Sequence, residues 1–81
     1  GAELNHVNIT NCFVVEDAPA GVLSGKRAGA RVLAVKTTHD AERLWRQGAD
    51  FVVDNLTKVK ARWSGNKIVL TIDSELRPSF E

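Results

Sequence analysis

Three short apolar runs, at residues 13–15, 32–35 and 51–53, organise the chain. They are rich in β-branched residues and continuous, with no polar residue inside them, which is typical of strands covered on both faces in a parallel sheet. The segments between them are long enough for crossover helices. The pattern therefore predicts an α/β fold with the order β-α-β-α-β, in which helices connect parallel strands.

The segment after the first run predicts a helix over residues 19–28. Pro19 suits a helix start, where its missing N–H would have no partner in any case, and Gly29 suits the helix end. We expect small side chains to let the helix backbone approach the sheet closely. These are Ala20, Gly21, Ser24, Gly25 and Ala28.

A second helix is predicted over residues 40–47. Asp40 suits the positively polarised start of that helix, and Gly48 can end it. We predict that Trp45 is a core anchor and not a ligand contact. Residues 37–39 are expected to initiate the helix, with a place on the rim of a ligand site as the alternative.

After residue 55 apolar and polar residues alternate, in segments 59–63 and 68–72 on either side of a Ser-Gly-Asn turn. This alternation predicts an antiparallel hairpin with one apolar face. Its basic residues are expected to form the solvated face, with phosphate binding as the alternative. They are Lys58, Lys60, Arg62 and Lys67. Residues 77–81 are predicted to be a loose tail.

The composition limits the class of protein. The chain has 81 residues, 43% hydrophobic and 26% charged, with a formal net charge of +1. This length allows one small domain, and the weak charge gives no reason to expect a nucleic-acid or membrane partner. The single cysteine, Cys12, cannot form an internal disulfide, and we predict that it packs as a small buried hydrophobe. The lack of a disulfide framework favours a reducing compartment, so we expect a cytoplasmic location.

Two adjacent carboxylates, Glu16 and Asp17, follow the first apolar run. They stand at the carboxyl end of a predicted parallel strand, where open α/β sheets bind their ligands. Two carboxylates about 4 Å apart repel by roughly 1 kcal/mol in water and about 4 kcal/mol at an effective dielectric of about 20, so partners must offset the repulsion. Magnesium is commonly held by one or two carboxylates with waters and phosphate oxygens. From spacing alone, a magnesium pair and a helix cap at Asp17, with Glu16 exposed in a loop, are equal alternatives.

The stretch around this pair carries a family resemblance. Residues 14–22 read VVEDAPAGV, residues 25–30 read GKRAGA, and residues 32–39 read VLAVKTTH. With GADFVV at residues 48–53 and the terminal hairpin, they strongly resemble haloacid-dehalogenase-like (HAD) hydrolases. The resemblance is greatest to fungal sugar-phosphate phosphatases of the 2-deoxyglucose-6-phosphate and glycerol-phosphate type. It covers about residues 8–72 and is most specific in the EDAPAG block.

The resemblance implies that Asp17 binds Mg²⁺ directly and that Glu16 binds it directly or through water. It also implies a partial Rossmann-like parallel sheet with a C-terminal β-hairpin, and a phosphorylated sugar or polyol as substrate of the full-length enzyme. In the family, an aspartate of an Asp-x-Asp motif attacks phosphorus, and the aspartyl-phosphate formed is then hydrolysed. The second aspartate of that motif is the general acid and base.

The sequence departs from the family at the nucleophile. It contains no Asp-x-Asp, and the spacing of Asp50 and Asp54 is too wide. The Gly-Lys-Pro context of the family's phosphate-binding lysine is absent, and Lys26 and Lys36 follow the Glu-Asp block when they would need to precede it. We therefore interpret residues 1–81 as the C-terminal part of a HAD-like hydrolase core domain that starts near a helix end. On this interpretation it lacks the cap domain and the catalytic strand, and is inactive alone.

Two other classes of protein stay open as alternatives. One is a non-catalytic remnant of the same fold that acts as an interaction module. The other is a flavodoxin-like or receiver-like binding domain, which also carries carboxylates at strand ends. In the resembled family the nucleophile strand lies beside the strand of residues 13–15. Without that neighbour the strand would have an exposed edge, so we expect poor stability or self-association of the chain.

Overall fold

A computed structural model describes residues 3–9, 12–37 and 40–80 of the chain. They form a mixed α/β fold with a three-stranded parallel sheet and a three-stranded antiparallel sheet. The elements, in chain order, are β1 (Glu3–Ile9), β2 (Phe13–Glu16), α1 (Pro19–Arg27), β3 (Arg31–Val35), α2 (Ala41–Arg46), β4 (Phe51–Val53), a 3-10 helix (Leu56–Lys58), β5 (Val59–Ser64) and β6 (Lys67–Ser74).

The parallel sheet has the strand order β2-β3-β4. Its three strands and the two helices between them are confirmed, each ending within one residue of the predicted position. Gly29 and Gly48 follow the helices with φ of 83° and 100°. This left-handed region strains most other residues, so the two glycines end α1 and α2 as predicted.

The strands β3 and β4 of the parallel sheet are buried on both faces, as their continuous apolar runs predict, whereas no residue of the edge strand β2 is fully buried. Along β3, Val32 and Ala34 pack with residues of the two helices, including the buried Trp45 of α2. Leu33 and Val35, which alternate with them, pack against the antiparallel sheet. The described residues therefore form three layers, with the parallel sheet between the helices and the antiparallel sheet.

Strand β1 was not predicted, and the expectation that the chain starts near a helix end is wrong. Residues 3–9 pair along β6, from Glu3 opposite Ser74 to Ile9 opposite Ile68. Val7 is buried in the core between the sheets, and Ile9 packs against that core. Leu4, the third apolar residue of β1, is exposed. The buried face of the strand is therefore marked in the sequence only by Val7 and Ile9, and such a short alternation is easily overlooked.

The predicted hairpin is confirmed, with Gly65 at φ 64° in the turn between β5 and β6. Its apolar face is only partly covered. Trp63 is 71% exposed, although it lies opposite the half-buried Ile68. β5 contributes Val59, at its start, to the core between the sheets. The other end of this edge strand extends beyond that core, which explains the exposure of Trp63.

The small side chains of α1 behave differently from the prediction. Gly25 does allow close approach, since a Cβ there would lie 2.8 Å from Cγ2 of Val32. However, Ala20, Ser24 and Ala28 are exposed. The close approach therefore depends on glycine, and the alanines and the serine do not contribute to it.

Two further expectations, on Cys12 and on the C-terminal segment, are wrong. A third, on residues 37–39, concerns a segment that the structure describes only at Thr37. Cys12 is exposed, because it lies just before β2 and beyond the covered part of the sheet. The C-terminal segment is not loose: Phe80 packs against the helix-side core, and the guanidinium of Arg46 lies 4.5 Å from its ring centroid. Thr37 is exposed, and residues 38 and 39 lie outside the described residues.

In the described part of the chain, no helix has the length and apolar character that crossing a membrane requires.

Ser74 joins the two sheets. Its buried hydroxyl accepts the N–H of Val52 in β4 at 3.1 Å and lies 3.2 Å from the carbonyl oxygen of the same residue. The next N–H, that of Glu75, donates to Val52 O at 2.8 Å. The end of β6 is thus hydrogen-bonded to β4, and this contact connects the antiparallel sheet to the parallel one.

We predict that Ser74→Ala lowers the free energy of unfolding by about 1–3 kcal/mol, because the buried N–H of Val52 loses its acceptor. Urea denaturation at one fixed protein concentration measures the change. Ser79→Ala, at an exposed serine, is the matched control and should change stability by less than about 0.5 kcal/mol. Equal stability of the two variants would contradict the joining role of Ser74.

Candidate functional site

The carboxylate pair lies where β2 meets α1. Glu16 is the half-buried last residue of β2, the exposed Asp17 follows it, and Pro19 begins α1. Glu16 is opposite Ala34 of the parallel strand β3. Because parallel strands end at the same edge of a sheet, the pair stands at the edge where ligands bind in open α/β sheets.

The helix-cap alternative is not found. The N-cap residue of α1 is Ala18, and no side chain caps the helix by a hydrogen bond. Pro19 has no N–H, and the N–H of Val22 donates to Ala18 O at 3.1 Å. The N–H groups of the first turn that lack an intrahelical partner are therefore those of Ala20 and Gly21. Asp17 does not serve as the cap, which leaves its carboxylate available for another partner.

The carboxylate of Glu16 lies against the first turn of α1. A Cβ atom built on Gly21 would overlap Oε1 of Glu16 and lie 2.6 Å from its Cδ. The carboxylate thus occupies the space that a side chain at position 21 would need. This space is beside the start of a helix, where the backbone dipole favours negative charge.

The two side chains fit part of a magnesium shell. Carboxylate oxygens are the hard ligands that Mg²⁺ prefers, and this ion keeps waters and phosphate oxygens in its remaining positions. The space beside Gly21 holds the Glu16 carboxylate close to the strand end from which Asp17 extends. Within residues 3–9, 12–37 and 40–80, no group of three or more His, Cys, Asp or Glu side chains is gathered as a metal site. The pair can therefore supply a corner of the shell.

A second charged cluster follows β3, β4 and β6, and sequence reasoning missed it. Lys36 Nζ lies 2.9 Å from Glu75 Oε2. The hydrogen bond to Glu75, and then the charge of Glu75, raise the pKa of Lys36. A hydrogen bond with Glu75, and then the charges of Lys36 and Lys58, lower the pKa of Asp54. Lys36 is thus already paired with a carboxylate and is not a free cation for phosphate.

Lys26 lies at the opposite edge of the sheet. Its Nζ is 2.8 Å from Asp50 Oδ2, which also accepts the N–H of Val32 at 2.7 Å. Asp50 precedes β4 and Val32 is near the start of β3, so this contact ties the end of α1 to the amino ends of two strands. Lys26 and Asp50 therefore have a structural role away from the carboxylate pair.

The basic face of the hairpin is exposed as predicted, with Lys60, Arg62 and Lys67 accessible to solvent and Lys58 half-buried. The outer face of the antiparallel sheet carries a shallow depression of about 430 Å³. Its lining residues are Leu4, Thr57, Lys58, Lys60, Thr71 and Asp73. This depression faces away from the parallel sheet and is separate from Glu16 and Asp17.

Comparison with known proteins relates the chain to phosphatases. No family model matches it. It is 47% identical over 58 residues to validoxylamine A 7'-phosphate phosphatase of Streptomyces hygroscopicus subsp. limoneus, covering 72% of this chain and 25% of that protein. It is 46% identical over 59 residues to hexitol phosphatase A of Escherichia coli (strain K12), covering 73% of this chain and 26% of that protein. It is 38% identical over 64 residues to 2-deoxyglucose-6-phosphate phosphatase 2 of Saccharomyces cerevisiae, covering 78% of this chain and 26% of that protein.

These matches confirm the resemblance to haloacid-dehalogenase-like phosphatases over the matched part of the chain. Bacterial and fungal phosphatases both match, so the similarity is not confined to the fungal type. The chain spans about a quarter of the length of these relatives.

Proposed function

We propose that the chain is the C-terminal part of the core domain of a magnesium-dependent phosphatase that acts on a phosphorylated sugar or polyol. The observation that carries the proposal is the 38–47% identity to phosphatases of such compounds, together with a Glu-Asp pair at the carboxyl end of a parallel strand. On this proposal β2, β3 and β4 are part of a larger Rossmann-like sheet.

In this proposal Glu16 and Asp17 are the magnesium ligands contributed by this chain. The Glu16 carboxylate is held beside Gly21, and the Asp17 side chain is exposed to solvent. Bound Mg²⁺ neutralises charge on a phosphoryl group and orients it. What this chain supplies is two carboxylates at the sheet edge, of which that of Asp17 is accessible to solvent.

The proposal assigns the nucleophile to a segment outside this chain. The sequence has no Asp-x-Asp, and the two aspartates beside β4 are already engaged. Asp50 accepts hydrogen bonds from Lys26 and Val32, and Asp54 lies in the cluster with Glu75 and Lys36. Neither is available as a nucleophile next to Glu16 and Asp17. The chain alone is therefore proposed to be inactive.

The same proposal gives β2 a neighbour outside this chain. Within the described residues β2 pairs with β3 on one side only. Val15 of β2 is 50% exposed. An unpaired strand edge beside an exposed apolar side chain is a template for pairing with another strand. We propose that a strand of the full-length protein covers this edge, and that the isolated chain self-associates through it.

We predict no phosphatase turnover above background when this chain is assayed with Mg²⁺ and 2-deoxyglucose-6-phosphate or a hexitol phosphate, because the nucleophile is missing. Release of inorganic phosphate is the measurement, and the Asp17→Asn variant is the control. Turnover that Asp17→Asn abolishes would overturn the claim.

Sequencing upstream of Gly1 tests the parent enzyme. An Asp-x-Asp strand and a cap domain there would support the proposal, and a start codon there would favour a non-catalytic remnant.

We predict that the chain binds Mg²⁺ with a dissociation constant in the millimolar range or weaker, because two carboxylates supply only part of an octahedral shell. Titration calorimetry measures the constant. Asp17→Asn should weaken binding further, whereas Glu42→Gln, at an exposed carboxylate of α2, is the matched control and should leave it unchanged. Micromolar affinity would contradict a partial site.

We predict that the isolated chain self-associates, with a sedimentation coefficient and melting temperature that rise with protein concentration. Val15→Lys should reduce the association, because a charge on an edge strand opposes pairing. Leu56→Lys, at an exposed leucine away from β2, is the matched control. A sharp, reversible and concentration-independent melting transition of a monomer would be inconsistent with this prediction.

A further inference from the structure

The missing side chain at Gly21 determines where the Glu16 carboxylate can lie. A Cβ on Gly21 would overlap Oε1 of Glu16, and its next contacts would be Cδ at 2.6 Å and Cγ at 3.2 Å. All three of the nearest atoms belong to the Glu16 side chain. The free space at position 21 is therefore used by this carboxylate and not by the packing of α1 on the sheet.

Backbone conformation does not require glycine at this position. Gly21 lies inside α1, and its φ is not in the left-handed region that Gly29, Gly48 and Gly65 occupy. In a helix interior, glycine costs roughly 1 kcal/mol relative to alanine. Position 21 therefore has a residue that weakens the helix. The space that a larger side chain would fill there is taken by the Glu16 carboxylate.

Gly25, one turn further along α1, shows the contrast. A Cβ there would approach Cγ2 of Val32 at 2.8 Å, and its next contact would be Cβ of Val14 at 4.0 Å. Val32 is fully buried in the core between α1 and the parallel sheet. Gly25 therefore serves helix–sheet packing, whereas the neighbour of Gly21 is a polar side chain at the candidate site.

We propose that Gly21 is a positioning residue for Glu16. By leaving the space open, it lets the carboxylate turn back onto the first turn of α1. There the N–H groups of Ala20 and Gly21 lack intrahelical partners, and the helix dipole favours negative charge. This inference deepens the proposed function and rests on it, because it assigns how one of the two proposed magnesium ligands is oriented.

The test is Gly21→Ala in the 81-residue chain, with two independent measurements. The first is the position of Glu16 without metal, from side-chain NMR shifts and from contacts between its Cγ protons and residue 21. We expect the Glu16 signals to move while α1 stays helical by circular dichroism. The second is affinity for Mn²⁺, a paramagnetic substitute for Mg²⁺, followed by broadening of the Glu16 and Asp17 signals. We expect it to fall about tenfold, as for changes next to metal ligands.

Two further variants separate positioning from general structure. Gly25→Ala is the matched control: it should lower the melting temperature through Val32 and leave the Mn²⁺ affinity of the folded chain unchanged. The double variant Glu16→Ala/Gly21→Ala should bind Mn²⁺ as weakly as Glu16→Ala alone, because the alanine at position 21 acts only through Glu16. If Gly21→Ala does not fold, the double variant should fold, since it removes the overlapping carboxylate.

The outcomes are distinct. Unchanged Glu16 signals and unchanged affinity in Gly21→Ala would overturn the positioning role, and so would failure of both Gly21→Ala and the double variant to fold. Moved Glu16 signals in a chain that binds no Mn²⁺, before or after the substitution, would support the positioning role while contradicting the proposed metal function.

Discussion

Apolar contact across the parallel sheet holds the described part of this molecule together. Leu33 and Val35 of β3 pack with Leu70 and Ile72 of β6 on one side, while Val32 packs with the helices on the other. A chain of this length buries only about 60% of the surface that it exposes when unfolded, so we expect its stability to be marginal. Each layer therefore depends on the strands in the middle, and loss of either covering layer would expose an apolar sheet face to water.

Two glycines one helical turn apart in α1 serve separate purposes. At Gly25 the helix approaches β3 closely, above Val32 in the core. At Gly21 the first turn of the same helix meets the Glu16 side chain at the end of β2. A packing requirement in the core and a charge arrangement at the sheet edge thus each depend on one glycine of α1.

Much of the fold could be predicted because its signals are local. Continuous β-branched runs indicate strands buried on both faces, and Gly29 and Gly48 mark the helix ends that the structure has. The prediction failed where the outcome depends on what another segment covers. β1 exists because β6 offers it a full-length partner, and Cys12 is exposed because the sheet ends beside it. Neither outcome follows from the residues of the segment alone.

The candidate site could likewise be predicted only in part. The place of Glu16 and Asp17 at the end of a strand follows from a short sequence pattern, and it could be predicted. The contact between Glu16 and Gly21, and the joining of Lys36 to Glu75, bring together groups from different elements. Such contacts depend on the angle of a helix or on the pairing of distant strands, which composition and periodicity do not specify.

The two tryptophans lie in opposite environments, and this gives the chain an internal spectroscopic contrast. Trp45 is 4% exposed among the helix-side core residues, whereas Trp63 is 71% exposed at the far end of the hairpin. An indole in an apolar core emits at shorter wavelength than one in water. Loss of the helix layer would therefore shift only the emission of Trp45, while burial of the hairpin end against another molecule would shift only that of Trp63. Steady-state fluorescence can thus distinguish loss of the helix layer from contact at the hairpin end in one sample.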